Sequence, residues 1–150
     1  MKLPVLFFAV CCVALFAACS KGKIDSPVEQ LLVDGRWQLS GITATISYMG
    51  LDTTFDAYPF EKDCTKDDVI RYRANNKGTV EEGANVCPGH SKTSDFEWGL
   101  LDNDTRMYAI DDNPDTADLE VNSTQMKLKL KKTNTSGSVT TAVYTYKNIN

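Results

Sequence analysis

The chain has 150 residues, 42% of them hydrophobic and 24% charged, with a formal net charge of −4. That length suits one domain with a real core, and an acidic balance without a basic cluster excludes nucleic acid as a partner. One histidine and no CxxC pair leave little from which to build a zinc site or a histidine-based catalytic group, and neither a cofactor nor an enzymatic activity is expected.

The N-terminus is Lys2 followed by an apolar run from Leu3 to Ala18, about 16 residues, which is short of the roughly 20 that cross a bilayer as a helix. A charged start, a short apolar stretch and small residues before a cut are the pattern of a secretory signal peptide. Ala17 and Ala18 stand directly before Cys19, which resembles a bacterial lipobox, where cleavage leaves a cysteine that carries a diacylglycerol. The division expected is a signal peptide at 1–18, a lipidated Cys19 with a polar tether to residue 25, and a folded domain at 26–150. Two lipid signals hold a protein firmly to a membrane. Ser20, where an aspartate would stand for inner-membrane retention, resembles an outer-membrane sorting signal, so a lipid-anchored outer-membrane protein is expected, with its face undecided. Removing residues 1–18 takes Lys2 with them and leaves 132 residues near −5.

"SPVEQLLVDG" predicts one short helix, with Ser26 as N-cap, Pro27 at the first position, Glu29 completing a capping box and Gly35 closing the far end. From Arg36 the apolar period becomes two. Trp37 and Leu39 share one parity, while Ile42, Ala44, Ile46 and Tyr48 take the other. A β-bulge or glycine kink at Ser40–Gly41 would keep both sets inward. Further strands are expected at 53–60, 69–74, 78–83, over "FEWGLL" (Phe96, Trp98, Leu100 on one face), at 105–111 and 117–122, over "QMKLKLKK" (Met126, Leu128, Leu130 inward, lysines outward), and at 138–147. Eight or nine short strands at regular spacing mean a β-sandwich or a closed barrel.

Cys64 and Cys87 are the cysteines left to the folded domain. Outside the cytoplasm such a pair is read as a disulfide rather than a metal site. "DDVIRYRA", "NNKG" and "TVEEG" form an antiparallel hairpin; with its turn centred on Asn75 and Asn76, paired residues sum to about 151 and the two cysteines face each other across its open end.

"DGRWQL" straight after a short helix resembles the Gly-x-Trp start of lipocalins, matched by Gly35 and Trp37. The wider pattern is similar to the small lipocalin-like lipoproteins of Gram-negative gut bacteria: Gly35, Trp37 and Leu39, then Cys64 with Asp67 and Asp68, Gly78 and Thr79, Cys87, Trp98 and Leu100, and finally Leu128 and Leu130. The resemblance implies an antiparallel up-and-down barrel of about eight strands with one N-terminal helix, and a monomer is expected. Such a barrel is either filled by its own side chains or holds one small ligand.

Trp37, Tyr72, Phe96 and Trp98 are the candidate ligand-contacting residues; with Tyr144 they are also large enough to plug the lumen. Asp111, Asn113 and Asp115 sit at the first, third and fifth positions of a calcium-loop template that fails at Thr116 and Asn122, so no metal is assigned. The triplets at Thr53 and Thr116 resemble bacterial O-glycosylation sites in loops. Asp67 with Asp68, and Glu81 with Glu82, diverge if they lie in strands, so they do not form a catalytic pair. Two functions remain open: a carrier for a small apolar or amphiphilic molecule in the barrel mouth, and a solid-cored envelope module that binds a protein or glycan partner.

Overall fold

A computed structural model describes residues 23–110 and 115–150. The expected signal peptide, Cys19 and the start of the calcium-like stretch, Asp111 to Pro114, lie outside the described residues.

The first element follows from its caps. The Ser26 Oγ accepts from the Glu29 N–H at 3.0 Å, and Glu29 reaches back to accept from the Asp25 N–H at 2.7 Å, starting helix α1 (Pro27–Asp34). Its far end is not a left-handed glycine cap, because Gly35 has φ −85. A different constraint acts at Gly35: a Cβ there would stand 2.3 Å from the Trp37 ring.

Among the described residues nine strands follow: β1 (Trp37–Tyr48), β2 (Leu51–Asp56), β3 (Val69–Arg73), β4 (Lys77–Glu81), β5 (Thr93–Leu101), β6 (Arg106–Ile110), β7 (Asp115–Val121), β8 (Gln125–Thr133) and β9 (Val139–Asn148). Each pairs antiparallel with its neighbours, and β1 pairs with β9, so β1 and β3 to β9 close an eight-stranded up-and-down barrel. The β1–β9 register shifts between Leu39 and Gly41, leaving Ser40 as the bulged residue; its Oγ donates to the Thr145 carbonyl at 3.0 Å. The bulge restores Ile42 and Ala44 to the inner face, where both are buried.

Closure is uneven. Strand β1 pairs with β9 over ten positions but with β3 over only two, Trp37↔Ile70 and Gln38↔Val69. From Thr43 upward the same edge of β1 is taken by β2. The wall therefore divides above Gln38, and β2, exposed at all six residues, forms a flap beside the gap. The expected strand at 53–60 ends early, because Tyr58–Phe60 is a 3-10 turn, and a second helix, α2 (Asp63–Lys66), leads into β3.

The β3–β4 hairpin also differs from expectation. Its pairs, such as Arg73↔Lys77, sum to 150 rather than 151, because the connection is three residues ending in Asn76 at φ 59. Cys64 and Cys87 are joined as expected, with Cα atoms 5.2 Å apart, but not as partners on the ladder. Cys64 sits in α2 and Cys87 in the loop after β4, so the bond ties α2 to that loop.

The core sits at the α1 end. Leu32, Trp37, Tyr72, Trp98, Met107, Leu119 and Met126 form one buried cluster, with Val28 and Val33 of α1 against it. Helix α1 thus stoppers one end of the barrel. All of these elements fall within residues 26–150.

Candidate functional site

Above this stoppered base the barrel is hollow. An open cavity of about 450 Å³ is walled by Ile70, Tyr72, Val80, Phe96, Met107, Leu128 and Tyr146 among others. Each arrives there through strand alternation. On β8, Leu128 and Leu130 point in while Lys127, Lys129 and Lys131 take the opposite parity, and across the ladder Leu128 faces Tyr144 and Met126 faces Tyr146.

The four candidate ligand-contacting residues divide by height. Trp37 and Trp98 are 0% and 1% exposed and belong to the base. The Trp37 Nε1 donates to the Leu32 carbonyl and the Trp98 Nε1 to the Lys77 carbonyl, both at 3.0 Å. Neither is on the cavity wall. Tyr72 and Phe96 are, and they pack edge to face with ring centroids 5.7 Å apart; Tyr72 also meets Trp98 edge-on at 5.0 Å. Phe96 packs against Gly78, where a Cβ would come within 2.1 Å of its ring. Tyr146, Leu128 and Ile70 also line the cavity; sequence alternation places Leu128 inward but does not set it above the base rather than in it, and it singles out neither Tyr146 nor Ile70.

The lining is mainly apolar, with polar groups at a few points. Asp95 borders it from the parity opposite to Phe96, its carboxylate accepting from the Thr79 Oγ1 at 3.2 Å while Thr79 accepts from Arg73 at 2.6 Å; among the described residues no lysine, arginine or histidine lines the cavity. Burial, together with the neighbouring Tyr146 phenol, pushes the Tyr72 hydroxyl well above the usual tyrosine range. Burial, then Tyr144 and Glu61, does the same to Tyr146. Both remain protonated donors at neutral pH.

A second polar group gathers around the disulfide. The Glu82 carboxylate is 5% exposed; it accepts from the Cys87 N–H at 2.8 Å and pairs with the His90 Nδ1 at 2.9 Å. Glu82, Cys87 and His90 converge as metal ligands would. The Cys87 sulfur is bonded to Cys64, so it has no thiolate to give, and the group is a brace for the loop rather than a metal site. Asp67 and Asp68 lie between α2 and β3, not in a strand. Their oxygens accept from the N–H groups of Asn85 (3.1 Å) and Gly83 (3.4 Å), so they too serve the loop. Desolvation, then the Glu82 charge, raises Asp68 to about 6, against the opposing pull of the Gly83 N–H.

Thr53 and Thr116 are exposed as expected but stand on β2 and β7 rather than in loops. From Asp115 on, the calcium-like stretch is strand β7, not a coordinating loop. Comparison of the chain with protein-family models and with curated proteins finds no match.

Proposed function

We propose that this protein is a lipid-anchored, extracytoplasmic carrier that holds one small apolar or amphiphilic molecule inside its barrel. The observation that supports it is the open cavity of about 450 Å³ above a fully packed base. Sites for small molecules are concave, largely apolar and dotted with a few polar groups, and their volumes fall in this range. A barrel that served only as a scaffold gains nothing from leaving that space unfilled, since unfilled volume costs packing energy. The anchor at Cys19, and with it residence at the outer membrane, rests on the lipobox resemblance.

The reading is tested by native mass spectrometry of residues 20–150 purified from the host envelope. The carrier reading expects a reproducible small-molecule adduct that is lost on unfolding. A bare chain two protons lighter than its reduced form, from preparation after preparation, would count against it. That outcome would favour the envelope interaction module, for which the exposed apolar residues Met49 (86%), Leu51 (76%) and Phe60 (82%) would offer the contact surface.

A further inference from the structure

Tyr72 is 4% exposed and lines the cavity, yet its hydroxyl makes no hydrogen bond to a described residue, and the same holds for the Tyr146 hydroxyl. Nor is either oxygen among the polar atoms sealed inside the protein without a partner, which occur at Arg36, Asp67 and Arg71. Both phenols therefore open onto the cavity. Buried hydroxyls nearly always find a partner, and two that share one cavity wall ask for the same one.

We infer that the cavity takes an uncharged amphiphile, bound with its oxygen acceptor, a ketone, ester carbonyl or hydroxyl, directed inward to Tyr72 and Tyr146 and its apolar tail toward the mouth. This rests on the carrier reading above. The orientation follows from position. Tyr146 pairs with Leu39 and Met126, on the rungs next to the stoppered base, whereas Leu130 pairs with Ala142 and lies toward the mouth. The two phenols are thus deep, and the wall above them is mainly apolar, with Ser94 and Tyr144 its polar residues nearer the mouth. The absence of charge follows from the lining: a carboxylate buried there would meet no cation among the described residues that wall the cavity. An ammonium buried there would likewise lack an inward-facing carboxylate, among the described lining residues, to neutralise it. A neutral oxygen, with lone pairs to accept from both phenols, matches what the wall offers.

The experiment is displacement of the neutral fluorophore N-phenyl-1-naphthylamine from residues 20–150 by 2-undecanone, undecane, undecanoate and undecylamine. The ketone should displace it at roughly tenfold lower concentration than the alkane, the worth of about one to two neutral hydrogen bonds. Undecanoate and undecylamine should be the weakest. In Tyr72→Phe and Tyr146→Phe, singly and together, the ketone should fall to the level of the alkane while the alkane is unchanged; Tyr108→Phe, whose ring covers Gly99 on the outer face, should change nothing. A ketone advantage that survives both substitutions, or an undecanoate or undecylamine that competes as well as the ketone, overturns the inference while leaving the carrier reading intact. If neither the fluorophore nor any competitor binds, the carrier reading fails and the inference fails with it.

Discussion

Trp37 lies against Gly35 so closely that a methyl group on residue 35 would sit 2.3 Å from the indole. The same indole donates to the Leu32 carbonyl, near the end of α1, so glycine and tryptophan together fasten the stopper to the first strand. Gly35→Ala must displace the ring, and overpacking of this kind costs about 1–3 kcal/mol. Urea unfolding of the variant should show that loss, with the slope unchanged. A variant as stable as the parent would mean that α1 shifts freely on its base.

The cavity predicts the opposite response at Ala109, which lines it and is only partly buried. Ala109→Phe projects a ring into open space rather than into packed atoms. Its melting temperature should hold or rise, while binding of a neutral fluorophore weakens by about tenfold or more, a loss of about 1.4 kcal/mol or more. Loss of stability with binding retained would place the binding site elsewhere.

The Cys64–Cys87 bond ties α2 to the loop that leads into β5, across a separation of 23 residues. Replacing both cysteines by serine frees the unfolded chain and should lower stability by about 2–4 kcal/mol. Equilibrium unfolding of the double variant, beside the parent with and without reductant, checks this; equal midpoints in all three would show that the bond does not hold the fold.

Asp68 makes stability depend on pH in a defined direction. Its carboxyl moves from an ordinary 3.8 to about 6 in the folded chain, so the folded state binds the proton more tightly. That advantage is full below 3.8 and is lost as pH climbs to about 6, so this group favours folding on the acid side. Asp68→Asn keeps an oxygen for the Gly83 N–H and removes the titration. Melting curves of parent and variant should lie closest below pH 3.8 and separate as pH rises to about 6, the variant being the more stable above it. Parallel curves across that window would contradict the assignment.

Much of the barrel was legible because a period of two survives in the sequence. The parity slip at Ser40–Gly41 marked the place of the irregularity, and of the two devices that could keep both Trp37 and Ile42 inward, a bulge or a glycine kink, the β1–β9 register shows the bulge. The hairpin register was misread by one residue, and the reason is local. A two-residue turn at Asn75–Asn76 and a three-residue turn ending in a left-handed Asn76 look alike in sequence, and asparagine suits both. Helix α2 went unseen because four residues cannot display a 3.6 period.

The site was less legible than the fold. Alternation says which residues point inward but not at what height. Trp37 and Trp98 went to the packed base, and Tyr72 and Phe96 to the hollow above, because of long-range pairing that no local pattern encodes. The divided wall is likewise a property of topology: β2 and β3 share one edge of β1, and neither strand carries a mark of it.

The stopper also gives the molecule a direction. The chain enters through Lys23–Asp25 at the α1 end, so with the anchor proposed at Cys19 the barrel stands on its sealed base, held by residues 20–25 that reach about 20 Å when extended. Its mouth then faces away from the leaflet that holds it. On the carrier reading, a molecule would then enter from the aqueous side rather than from the underlying lipid.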